Sequence, residues 1–212
     1  MASEKHGLPA AKIVDKYGHA ISVDEMTRAV ININYAHHEI HEGSSFTVTR
    51  HLESAADNAS IWVAFKTPAG EKVAHMFPQF NTLAAAHLKI IENANWTAST
   101  GTLVPIINRN RNSTKESILE ENKTIRSFNA NNNVIASVTG LSATAVDAVI
   151  LPQHYVFSIK QAGGGESRST EEYILKANTQ YAFVVVADAG SNALGLDLNW
   201  YEHTTKSNDT ED

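Results

Sequence analysis

The stretch YAHHEIHEG, residues 35–43, packs three histidines and two glutamates into nine positions. Imidazole nitrogen and carboxylate oxygen are the usual ligands of zinc, iron and manganese, so metal chemistry would be sought here first. The spacing argues against it. On a strand, His37, Glu39 and His41 share one face, and His38, Ile40 and Glu42 share the other. Positions 37 and 41 are then roughly 13 Å apart at about 3.3 Å per residue, too far for one ion without a bulge. On a helix they meet on one face, as in the H-E-x-x-H motif of zinc proteases. The glutamate, however, stands one position too late for that motif, and the strand-like SSFTVT follows Gly43 at once. A cupin-style site needs H-x-H followed by Glu and a later His, and the chain contains no H-x-H. The stretch is therefore read as a polar strand whose histidines hydrogen-bond to neighbours or to a partner chain.

Other candidates fail on the same kind of test. GGGESRST lacks the Gly-Lys-Ser/Thr ending of a phosphate-binding loop, and no strand-then-helix dinucleotide fingerprint is present. Glu166 and Arg168 in that stretch read as a loop ion pair, while Glu171 and Glu172 read as solvated. No G-x-S-x-G nucleophile elbow occurs. Asn108–Arg111, NRNR, carries two charges, but on an acidic protein its expected job is to hold a loop or a partner. No residue is assigned a catalytic, cofactor-binding or metal-binding role, no cofactor is expected, and the chain is read as a non-enzyme.

Composition bounds the partners. A net charge of −6 is the wrong sign for a nucleic-acid binder. The longest apolar run, Tyr181–Ala189, is too short to cross a bilayer as a helix, so no membrane contact is expected. The absence of cysteine excludes disulfides and thiolate ligands. No basic and apolar leader opens the sequence, and a protein made in a reducing cytosol is the expectation.

The elements that must position any site are mostly strands. LGLDLNW sets Leu194, Leu196, Leu198 and Trp200 on one face with Gly195, Asp197 and Asn199 opposite, a period of two. SFTV and HYVFSI alternate in the same way. SIWVAFKTPAGEKVAHMF reads as two strands around Pro68-Ala69-Gly70, a hairpin. Tyr181–Ala187 is apolar on both faces, as in a central strand or one covered by a partner. YILKANTQY reads as one further strand. Helix signals are few: Asp24–Val30 suits one or two capped turns, and Asn81–Ala94 is open between a short helix and a strand. The Asn-rich runs and the three consecutive glycines of QAGGGESRSTEE read as loops. The expected architecture is all-β, a β-sandwich of jelly-roll type with an extended N-terminal arm. The expected boundaries are an arm with a possible short helix over 1–34, the sandwich over 35–205 and an acidic tail over 206–212.

Four motifs in order, HHEIHEGSSFTV, IINRNRNS, GGGESRSTEEYILKANTQY and LDLNWYEHT, resemble a family of tailed-bacteriophage proteins encoded in the head-gene region. The resemblance covers roughly residues 35–205. It implies an all-β structural virion protein without a cofactor, with capsid decoration (cement) proteins as the nearest class. It further implies the major capsid protein and copies of itself as partners, a trimer by preference. It would be made in the host cytoplasm and sit on the capsid surface. Two other readings compete. One is a receptor- or glycan-binding sandwich of a tail fibre or spike, using Trp62 or Trp96 as a platform. The other is a cupin-like metalloenzyme using His37, His38, His41 and His203.

Overall fold

Alternating inward leucines and bulky β-branched runs produce two antiparallel sheets that face each other across one apolar core. The computed structural model describes residues 35–95, 101–121, 126–130, 149–151, 154–156, 163–166 and 172–204. The expected N-terminal arm, the Asp24–Val30 turns, Trp96, Arg168, Glu171 and the acidic tail lie outside these residues. The chain divides into two compact units, Met1–His38 and Glu39–Asp212. Of the first, the described residues are the opening turn of a helix; the second contains the sandwich.

In chain order the elements are α1 (Tyr35–His41), β1 (Ser45–Ala55), β2 (Ser60–Lys66), β3 (Lys72–Thr82), β4 (Ala86–Glu92), β5 (Thr102–Leu103), β6 (Ile107–Asn108) and α2 (Ile118–Glu121). They continue with β7 (Arg126–Ala130), β8 (Val149–Ile150), β9 (His154–Val156), β10 (Gly163–Glu166), β11 (Tyr173–Ile174), β12 (Gln180–Ala187) and β13 (Asn192–Thr204). Sheet I has the order β10-β3-β13-β1-β6, with β11 also on β3. Sheet II has the order β5-β7-β2-β12-β4-β8, with β9 also on β4. The first long strand, β1, pairs with the last, β13, and β2 pairs with the penultimate β12. β3 and β4 then add to the far sides of β13 and β12. The chain therefore changes sheet at each step from β1 to β4, and again from β12 to β13.

β13 behaves as its alternation demands, with Leu194, Leu196, Leu198 and Trp200 all buried in the core. Trp200 meets Phe46 of β1 at a ring separation of 5.8 Å, and Phe65 of β2 stacks on Phe183 of β12, also at 5.8 Å. Sheet II is buried on its outward face too. Trp62, Ala64, Ile91, Ala182, Val184 and Val186 form a second apolar cluster there, with Ala94. Residues on both faces of β12 are therefore buried.

Several expectations are corrected. The β2–β3 segments are strands but not a hairpin: Pro68-Ala69-Gly70 carries the chain from sheet II to sheet I, because each strand finds its partners far away in sequence. Asn81–Ala94 contains a strand and no helix. Its alanines form a turn held by the Asn192 side chain, which accepts from Thr82 Oγ1 and the Leu83 and Ala84 amides and donates to the Ala85 carbonyl. Gly163–Gly165 are not loop but strand, paired with Phe80–Thr82 of β3. YILKANTQY is broken after Ile174 by a turn in which Asn178 takes a positive φ of 52°.

The largest correction falls on YAHHEIHEG, whose first seven residues are helix α1 and not a strand. Gly43 stops the helix with φ +72°, a conformation that costs a side chain dearly. Its amide donates to the Ile40 carbonyl and the Ser44 amide to the Glu39 carbonyl, the paired bonds of a Schellman cap. An added Cβ at Gly43 would also lie 2.2 Å from Ser113 Oγ, so glycine is required twice over.

Candidate functional site

The outward face of sheet I brings together a group of four titratable side chains, His75, Glu172, Tyr201 and His203. His75 of β3 lies opposite Tyr201 of β13 in register, and their rings stack at 4.6 Å. His203, two residues further along β13, tilts against His75 at 4.3 Å. Glu172, just before β11, accepts a hydrogen bond from Tyr201 Oη at 2.6 Å and pairs with His75 Nδ1. Because a carboxylate accepts, the His75 proton sits on Nδ1. His75 Nε2 is then left buried without a hydrogen-bond partner. His203 donates from Nδ1 to the Thr204 carbonyl. Burial, above all, and then the neighbouring His75 and Lys72 hold the His203 imidazole below its ordinary range, against the pull of Glu39 and Glu172.

The other polar motifs are consumed as staples. Glu202 is buried in the core end of β13, 1 % exposed, and its burial is tolerable only because donors surround it. Ser117 Oγ, the Ile118 amide and Trp200 Nε1 all donate to its carboxylate, and Lys72 lies 3.5 Å away. Ser117 also accepts from the Leu119 amide, so this end of α2 is capped by both residues. The NRNR motif works through its asparagines. Asn108 Nδ2 donates to the Gly43 and Lys115 carbonyls, and Asn110 Nδ2 donates to the His41 carbonyl. The motif thus ties off the C-terminal end of α1, as a loop-holding role requires.

Two further pairs lie at the margins of sheet II. Glu92 accepts from Lys176 Nζ at 2.6 Å and Tyr181 Oη at 2.9 Å. Desolvation raises the Glu92 pKa, but these two hydrogen bonds and the Lys176 charge outweigh it and hold the carboxyl below its ordinary range. Tyr181 is pushed up, first by desolvation and then by Glu92, against its bond from the Lys176 amide. His87 of β4 donates from Nδ1 to Asp188 and stacks on half-exposed Tyr155 at 5.0 Å.

The histidines read from the sequence do not assemble. His37, His38 and His41 are exposed on α1, whereas His203 belongs to the His75 group. Among the described residues, no group of three or more His, Asp or Glu side chains is placed to hold a metal ion. Trp62 is buried, 2 % exposed, with Nε1 donating to Ser60 Oγ, so it offers no glycan platform. Glu172 is no solvated bystander but the carboxylate of the His75 group. That group was missed because its members are brought together by strand register. A period-two reading of WYEH, with Tyr201 and His203 on one face, was the only local signal. Comparison with known proteins brings no match. No family model, curated protein or solved structure is detectably similar to the chain. Among the described residues no helix is long and apolar enough to cross a membrane.

Proposed function

We propose that the chain is a structural virion protein of a tailed phage, a decoration protein that binds the outside of the head and stabilises it. The reading rests on the motif resemblance, and one observation carries it further: the polar motif residues serve as internal staples. Glu202, Asn108, Asn110, Glu172 and Lys176 each tie one strand or loop to another. A module that must survive on a particle surface is served by such ties, whereas a catalyst would keep such groups poised for a substrate. The strand order supports a jelly roll as well: first strand with last, second with penultimate, and the next two on their far sides. That topology is shared by capsid, lectin and cupin domains.

The partners in this reading are the major capsid protein and further copies of the chain. A trimer remains the proposed assembly because capsid lattices offer three-fold positions. The test is cosedimentation of purified protein with undecorated heads, with light scattering on the free protein. Saturable binding to heads and none to isolated tails is expected. A monomer that ignores heads but binds tails or host cells would move the reading to a tail-fibre sandwich.

A further inference from the structure

The alternation of β1 breaks near its end. Leu52 and Ala55 both pack on the core, although they stand three residues apart. Their partners on β13, Leu194 and Asn192, are two apart, so β1 carries one extra residue as a bulge. In a regular strand one of Glu53 and Ser54 would turn inward. The bulge leaves both exposed, and His51 is exposed just before them. These three polar side chains line an open cleft of about 680 Å³, together with Leu52, Ala56 and Ser191. Small-molecule sites span about 300–1,000 Å³. We propose that this cleft binds a neutral saccharide, held by the Glu53 carboxylate, the hydroxyls of Ser54 and Ser191, and the His51 imidazole.

Ser191 supplies an independent observation. Its φ is +55°, a left-handed conformation that glycine or asparagine adopts at lower cost than serine. Gly190 stands beside it and does not take such an angle. The turn from β12 to β13 therefore places its strain on a residue that lines the cleft, the pattern of a ligand-holding segment. The walls are also fixed in advance. The Asn58 amide donates to the Ala187 carbonyl and the Ala187 amide to the Ala59 carbonyl, which ties the β1–β2 turn to the end of β12. Asn192, next to Ser191, is anchored by its side chain to Thr82 and Ala85. A preset cleft lowers the ordering cost of binding.

The lining selects the ligand. Glu53 repels anions, on a chain whose net charge is already −6. An apolar molecule would strip water from the carboxylate and the serine hydroxyls and return no hydrogen bond. A small amine would use Glu53 and leave the hydroxyls idle. Among the described residues no three His, Asp or Glu side chains are grouped to hold a metal ion. A sugar uses both kinds of wall. Its hydroxyls donate to the carboxylate and exchange hydrogen bonds with serine and imidazole, while its C–H face rests on Leu52 and Ala56.

The test is an NMR titration of the full chain with glucose, galactose, mannose, N-acetylglucosamine and lactose, each up to ~50 mM to reach weak affinities. At least one sugar should give saturable amide shifts concentrated on residues 51–59 and 188–193. Glu53→Ala should weaken that binding about tenfold. Ser191→Gly removes a hydroxyl and relieves the left-handed φ, so it should weaken binding about threefold while the melting temperature holds or rises. A turn strained for structural reasons alone would leave binding unchanged in that variant. If Glu53→Ala folds poorly, Ser191→Gly decides alone. No saturable shift with any of the sugars, or shifts centred elsewhere and indifferent to both variants, overturns the proposal. Saturation of the cleft by propylamine or calcium chloride in place of a sugar overturns it as well. Heads take no part in the experiment, so its outcome is independent of the decoration reading.

Discussion

The outward face of sheet I carries Gln79, Asn81, Asp197 and Asn199 beside the His75 group, while that of sheet II carries Trp62, Ile91, Ala182 and Val184. Both sheets share the same core, yet their strands are written differently. β13 alternates along most of its length, whereas β2, β12 and β4 are nearly continuous buried runs. The lesson concerns what a doubly apolar strand signifies. In this molecule it marks a sheet whose residues are buried on both faces, where an alternating strand has one buried and one polar face.

The sharpest way to break that comparison is to place one carboxylate on each buried face. Trp200→Asp in the core and Val184→Asp on the outward face of sheet II should both leave the protein insoluble or largely unfolded. Each removes a fully buried side chain worth several kcal/mol at about 25 cal/mol per Å² and buries a charge. Soluble Val184→Asp with unchanged melting would show the second cluster to be dispensable. Glu202→Ala comes next. It strips the partner from Trp200 Nε1, Ser117 and the Ile118 amide, and should cost about 2–4 kcal/mol in denaturant unfolding.

Acid titration is smaller in effect. Glu92 has a folded pKa below its unfolded value, so its contribution is present above about pH 4.5 and is lost as pH falls through the folded value. Lys176 is largely exposed, which limits the effect to about 1 kcal/mol or less. Glu92→Gln should therefore flatten the stability profile only below about pH 4.5. Smallest of all, Asn199→Ala on the polar face of sheet I should change stability by less than about 0.5 kcal/mol, since its one hydrogen bond, to Gln79, is 3.4 Å long. A larger loss would mean that the polar face is as tightly built as the apolar one.

How much of this was legible depended on the range of the forces involved. β13, β1 and β12 could be read because inward alternation or a continuous apolar run is a property of the strand itself. Helix α1 was misread because its end is settled from a distance, by Asn108 and Asn110 binding carbonyls some 65 residues away and by Ser113 filling the space beside Gly43. The glycine strand β10 was missed because its partner, β3, supplies all the order that three glycines lack. The β2–β3 turn was recognised, but a turn says nothing about whether its flanking strands pair with each other. The His75 group had the least local signal, since it depends on which residue of β3 lies opposite Tyr201.

The pairing of β1 with β13 also has a temporal meaning. Ser45 lies opposite Tyr201, so the central ladder of sheet I cannot close until nearly all of the described chain exists. Until β13 has been made, the edges of β1 and β3 that pair with it have no partner in sheet I and are open to other chains. Loop closure over such a separation is slow, and a fold so rich in distant pairings belongs among the slow folders. The last strand is then the moment of commitment. A ribosome stalled before residue 192 should leave a nascent chain that a folding helper still holds, and release past residue 204 should free it.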